Sequence, residues 1–186
     1  MGPIQGTHAV TVAAFDRPGR FADLAGAFAL SGLDILSIEA VSGPSHIALD
    51  TFVVKSMTRA DIGTSTWASL QRHIDASLRG RLSLGVRLAE RARHYDACAP
   101  TAPTSVKMES EDPFAVVLTI TASDRVGLLH DIARAVTDSG LDIAAATAIV
   151  RDGRVKDVFR LVDPTGAKPD DPGLLGQLAM RLREMR

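Results

Sequence analysis

Cysteine is almost absent from this chain. Cys98 stands alone among 186 residues, so no internal disulfide can brace the fold and a reduced, cytoplasmic setting is expected. No partner motif surrounds it to suggest a reactive thiol. Neither charge sign is in excess: the net charge is -1, which leaves no basic field to hold nucleic acid or an anionic membrane surface. No run of about 18 apolar residues offers a membrane span, and Met1 to Gly6 lacks the charged and apolar regions of a secretion signal. Lysine is scarce, only Lys55, Lys107, Lys156 and Lys168, so the basic charge is mostly arginine. The five histidines, His8, His46, His73, His94 and His130, show no metal-ligand spacing. No Ser-His-Asp or Cys-His arrangement can be assembled. No Gly-Ser followed by spaced aspartates is present to hold two magnesium ions. No catalytic residue, metal or cofactor is therefore expected in this chain.

What is present is a soluble composition, 46% hydrophobic and 23% charged, able to bury a core. It also contains a duplication. The window from Asp16 to Ile35 reappears at Asp124 to Ile143, 108 residues later without a gap, with 11 of 20 positions identical. Composition alone would give about two matches. Ser31-Gly32-Leu33-Asp34-Ile35 returns unchanged as Ser139-Gly140-Leu141-Asp142-Ile143. Two copies of one domain are therefore expected, over 1–95 and 114–186. Between them, 96–113 carries Pro100, Pro103 and Pro113 among small and acidic residues, the composition of a linker.

Both copies read in the same order. His8 to Phe15 and Ala115 to Ala122 alternate as strands. Phe21, Leu24, Ala25 and Phe28, matched by Leu129, Ile132, Ala133 and Val136, fall at helical spacing. Gly32 and Gly140 stop these helices. Ile35 to Ser42 and His46 to Val54 flank Gly43-Pro44, and Asp142 to Val150 and Val155 to Val162 flank Asp152-Gly153, so each pair reads as a hairpin. Helices follow at Ser65 to Leu78, capped by Thr64 or Ser65, and at Asp171 to Met185. With one more strand, this order is the βαββαβ, ferredoxin-like arrangement. Leu82, Leu84, Val86 and Leu88 alternate as a strand could, but Leu84, Leu88 and Ala92 also suit a helix. The second copy has nothing after its second helix to serve as the final strand.

Asp-Arg-(Pro)-Gly, an apolar-led helix and then Gly-Leu-Asp-Ile resembles ACT domains. The chain is similar, more closely, to the C-terminal tandem ACT region of the bifunctional uridylyltransferase/uridylyl-removing enzymes that act on the PII nitrogen-signalling protein. That resemblance is carried by Asp124 to Leu129, Asp131 to Ala135, Gly140 to Ile143 and Val155 to Phe159. Arg87 to Arg91 with Tyr95 looks like the actinobacterial members. Val126 stands where proline is expected, and Arg20-Phe21 where a Leu-Leu pair is expected. The fold class implied is α+β, two ferredoxin-like ACT domains in tandem with helices on one face of antiparallel sheets. The function implied is regulatory: an amino acid, glutamine foremost, binds and controls uridylylation and deuridylylation by catalytic domains upstream, with the PII protein as their partner. ACT packing also offers a route to a homodimer. A free-standing regulator similar to the glycine-cleavage repressor and a ligand-free dimerisation module are the alternatives. His130-Asp131 shares the letters of an HD hydrolase motif, but it sits in a helix without the companion ligands.

Binding also follows from physics. The turns at Asp16-Arg17-Pro18-Gly19 and Asp124-Arg125-Val126-Gly127 lead from a strand into a helix whose first N–H groups have no internal partner. With the helix dipole they attract a carboxylate, and Gly19 and Gly127 admit a ligand close to the backbone. Asp34 or Asp142 could receive the ammonium group of an amino acid. The resemblance places the ligand between one domain's first loop and its neighbour's second strand, through Gly127, Leu128, Leu129, Asp142 and Ile143, with Gly19, Asp34 and Ile35 in the other copy. Against this, Asp16 and Asp124 could cap their helices, Arg17 and Arg125 could pair with nearby carboxylates, and Asp34 and Asp142 could fix a turn.

Overall fold

The computed structural model of the protein describes residues 6–42, 47–58, 61–93, 103–151 and 154–185. Gly43-Pro44, Asp152-Gly153 and Cys98 lie outside these residues. The first copy runs β1 (Thr7–Phe15), α1 (Arg20–Leu30), β2 (Leu33–Ser42), β3 (Ile47–Ser56) and α2 (Thr64–Leu78). Next come α3 (Leu84–Ala92) and β4 (Ser105–Glu109). The second copy runs β5 (Val116–Ser123), α4 (Leu128–Asp138), β6 (Asp142–Arg151), β7 (Arg154–Val162) and α5 (Pro172–Arg183).

The strands form a single antiparallel sheet in the order β1-β3-β2-β6-β7-β5-β4. The two copies meet at its centre, where Ser37, Ile38 and Glu39 of β2 pair with Thr147, Ala146 and Ala145 of β6. The expected α+β fold with ferredoxin-like halves is present. The repeat also extends to irregularities. β2 bulges between Ile35 and Ser37, and β6 bulges at the matching place, between Ile143 and Ala145.

Alternation drives the layering. Along β3, Ala48, Asp50, Phe52 and Val54 are buried; along β7, Val155, Asp157, Phe159 and Leu161 are. Every second side chain of a strand points to one face, and here that face lies under the helices. α1 packs against α2, α3 and α4, and α4 against α5, so the helices share one layer. Ten of the 11 residues of α1 are buried, as for a helix surrounded on all sides. Its small residues permit this: a Cβ on Gly26 would lie 2.9 Å from Leu84 and 3.0 Å from His130. Phe28 and Phe52, ring centroids 4.6 Å apart, fill the core beneath it.

Gly32 and Gly140 end α1 and α4 with φ near 76°, the left-handed conformation that glycine adopts without a Cβ clash. The N-cap of α2 is Gly63, and neither Thr64 nor Ser65 caps it. Asp171 does cap α5, accepting from the N–H groups of Gly173 and Leu174 at 2.8 and 3.1 Å. The ambiguous Leu82–Leu88 segment contributes to α3, because Leu84 and Leu88 bury one stripe against α1 and the second-copy corner. The final strand of the second half comes from within 96–113. Val106 and Met108 of β4 face the core, and β4 pairs with β5 from Ser105↔Thr121 to Glu109↔Val117. Composition hides this strand, because it is short and stands next to proline-rich chain.

Candidate functional site

Two corners, related by the duplication, sit where the copies meet. In the first, Asp16 and Arg17 lead to Gly19, which caps α1 with φ 78°; in the second, Asp124 and Arg125 lead to Gly127, which caps α4 with φ 81°. The N-cap position of each helix is a glycine, which has no side chain to cap with, so the dipole of each helix is directed at its corner.

Each corner faces the other copy's second strand. The second-copy corner, with Asp124, Arg125, Gly127, Leu128 and Leu129, shares a cleft of about 60 Å³ with Asp34 and Ile35 from the first copy. The first-copy corner, with Asp16 and Arg17, shares a wider cleft of about 290 Å³ with Asp142 and Ile143. Gly19, expected at this site, is buried and does not line the cleft; a Cβ there would meet Thr137 of α4 at 3.5 Å. The expected residues are thus gathered into two mixed sites rather than one site per copy. Ala144, at the bulge, lines the wider cleft.

Paired carboxylates mark both clefts. Burial raises the pKa of Asp34, with Lys55 opposing and Asp124 reinforcing the shift. Burial also raises Asp124, against Lys55 and a backbone hydrogen bond. In the other cleft burial raises Asp142, with Asp16 adding to the shift and Arg20 opposing it. Arg17 pairs with Asp23, and Arg125 with Asp131 at 2.7 Å, one first-turn aspartate in each copy. The corner arginines therefore take neighbouring carboxylates.

Three important residues were not among the expected site residues. Asp50 is 1% exposed and accepts from Arg20 Nε at 2.7 Å and Nη2 at 3.1 Å, while Arg20 Nη1 reaches Asp16. Burial works against the Arg20 charge, but hydrogen bonds and attraction from Asp50 and Asp16 prevail and raise its pKa. Asp157 holds the same place in the second copy: Asp50 lies opposite Val12 and Ala40, Asp157 opposite Ile120 and Ala148. It is 3% exposed, lines the smaller cleft, and is pushed up to about 7 by burial and by Asp124. A charged residue on the apolar side of an alternating strand was the available signal.

Two ferredoxin-like halves sharing one sheet, each presenting a glycine-capped corner to the other's second strand, define a duplicated α+β fold with its clefts at the seam, consistent with a tandem ACT arrangement. No protein-family model matches the chain. The chain is a relative of the bifunctional uridylyltransferase/uridylyl-removing enzymes. It is 29% identical to that of Gluconobacter oxydans over 181 residues, 95% of this chain and 19% of the relative. It is 32% identical to that of Rhodospirillum rubrum over 175 residues, 89% and 18%, and 31% identical to that of Caulobacter vibrioides over 172, 91% and 18%. The chain spans about a fifth of the length of these relatives.

Proposed function

We propose that this chain is an amino-acid-sensing regulatory region, with glutamine as its ligand, which controls uridylyl transfer to and removal from the PII protein in an enzyme of the relatives' kind. The observation that carries the reading is the reciprocal placement of the two corners, Asp124, Arg125 and Gly127 to Leu129 against Asp34-Ile35, and Asp16 and Arg17 against Asp142-Ile143. A ligand held there touches both copies at once. Binding then favours one relative arrangement of the halves over another, and a coupling of about 1–3 kcal/mol suffices for regulation.

The same geometry disfavours a module serving dimerisation alone. Each cleft is completed within one chain, so a second copy is not required to build it. Kinship to long enzymes favours a regulatory region over a free-standing regulator. Calorimetric titration of the chain with glutamine and the other nineteen amino acids tests the reading. Saturable heat for glutamine is expected; flat traces for all twenty would overturn it.

A further inference from the structure

The two clefts have the same plan but not the same contents. Among the described residues, two buried side-chain polar atoms lack a hydrogen-bond partner, Arg125 Nε and an Asp157 oxygen, Oδ1. Both residues line the second-copy cleft. Buried polar groups are nearly always satisfied, and an exception calls for a reason. Here one is a donor and the other an acceptor, beside a helix N-terminus at Gly127. In the first copy the counterpart of Asp157, Asp50, has its carboxylate covered by the guanidinium of Arg20. The counterpart of Arg20 is Leu128, which carries no charge.

We infer that Asp157 is the anchor for the ammonium group of a zwitterionic small molecule, an α-amino acid, held in the second-copy cleft with its carboxylate toward Arg125 Nε and the start of α4. Arg20 supplies the equivalent positive charge from within the protein in the first copy, so one ligand binds per chain. This rests on the sensing function above and narrows it: the ammonium site moves from Asp34 or Asp142 to Asp157, and the two corners cease to be equivalent. The cleft of about 60 Å³ admits roughly four or five water-sized groups, the size of an amino-acid head group with its side chain directed outward. The other charged and titratable groups around Asp157 are Asp124, Asp34, Arg125 and His130, with Lys55 beside the two flanking aspartates. Of these, the charge that acts on Asp157 is the second carboxylate, Asp124, and a cationic group between them offsets both.

The test is calorimetric titration of the whole chain with L-glutamine, in the wild type and in D157N, L128R and R20L. The wild type should bind one molecule per chain. D157N, nearly isosteric, should weaken binding by about ten- to a hundredfold, the loss of one charged hydrogen bond. L128R, which copies the first-copy arrangement, should abolish binding and raise the melting temperature by pairing with Asp157. R20L should open a second site. Two molecules per wild-type chain, or D157N binding within threefold of wild type, would overturn the inference and leave the sensing function intact. If no amino acid binds the wild type, sensing itself fails, and the inference is decided by titrating ethylammonium chloride against backbone amide resonances. Shifts around Asp157 that disappear in L128R uphold the cation site; no shifts overturn it.

Discussion

His130 donates a hydrogen bond from Nδ1 to the carbonyl oxygen of Ala22, 2.8 Å away. These are matching positions of the two repeats, 108 residues apart, so the contact lies where the copies are related to each other. The carbonyl can only accept, which puts the proton on Nδ1. The duplication has thus been specialised: one copy supplies an imidazole and the other, at the matching position, a backbone carbonyl. H130A should lower stability by about 2 kcal/mol through the lost bond and the space left between α1 and α4, measured by denaturant unfolding.

R20L leaves Asp50 buried without its counter-ion. Breaking such a pair from one side costs about 3–5 kcal/mol, measured by denaturant unfolding. R20L combined with D50N should recover much of the loss.

Asp157 gives a stability trend of known sign. Its pKa is near 7 in the fold and about 3.9 in an unfolded chain, so between these values the folded state holds more protons. Stability then falls as pH rises from about 4 to about 7 and levels off above. Asp34, Asp124 and Asp142, also raised, act in the same direction. D157N should flatten the slope and make the protein relatively more stable at pH 8, read from melting temperature against pH.

Gly127 and Gly140 both have positive φ, 81° and 76°, but only Gly127 is crowded, a Cβ there lying 3.3 Å from Leu88. G140A should cost about 1 kcal/mol from backbone strain alone. G127A should cost more, because α3 must also shift, and it should weaken amino-acid binding where G140A does not. Unfolding and calorimetry on the two variants separate the contributions.

The duplication made the plan of the fold readable from sequence. Asp34-Ile35 and Asp142-Ile143, which line the two clefts, were legible as candidates because they repeat at the same offset as the corners. Asp50 and Asp157 were missed for the complementary reason. Between Ile35 and Phe52 the first copy has one residue more than the second has between Ile143 and Phe159. An alignment at fixed offset therefore sets Asp50 against Val158 rather than Asp157. Pairing register restores the match. Arg20 was visible only as a departure from a Leu-Leu pair, since its meaning depends on Asp50, 30 residues away. β4 escaped because five alternating residues next to prolines carry no distinctive period.

The position of β4 determines how the halves depend on each other. This strand follows the first copy's helices but completes the second copy's sheet, so the two repeats cannot be divided where the composition changes. A protein starting at residue 114 would begin with β5 as a bare rim, its amide and carbonyl groups open to any passing chain. Cutting after α3 would spare the first copy and strip the second. The dependence therefore runs one way: the second half needs a strand that lies before it in the chain.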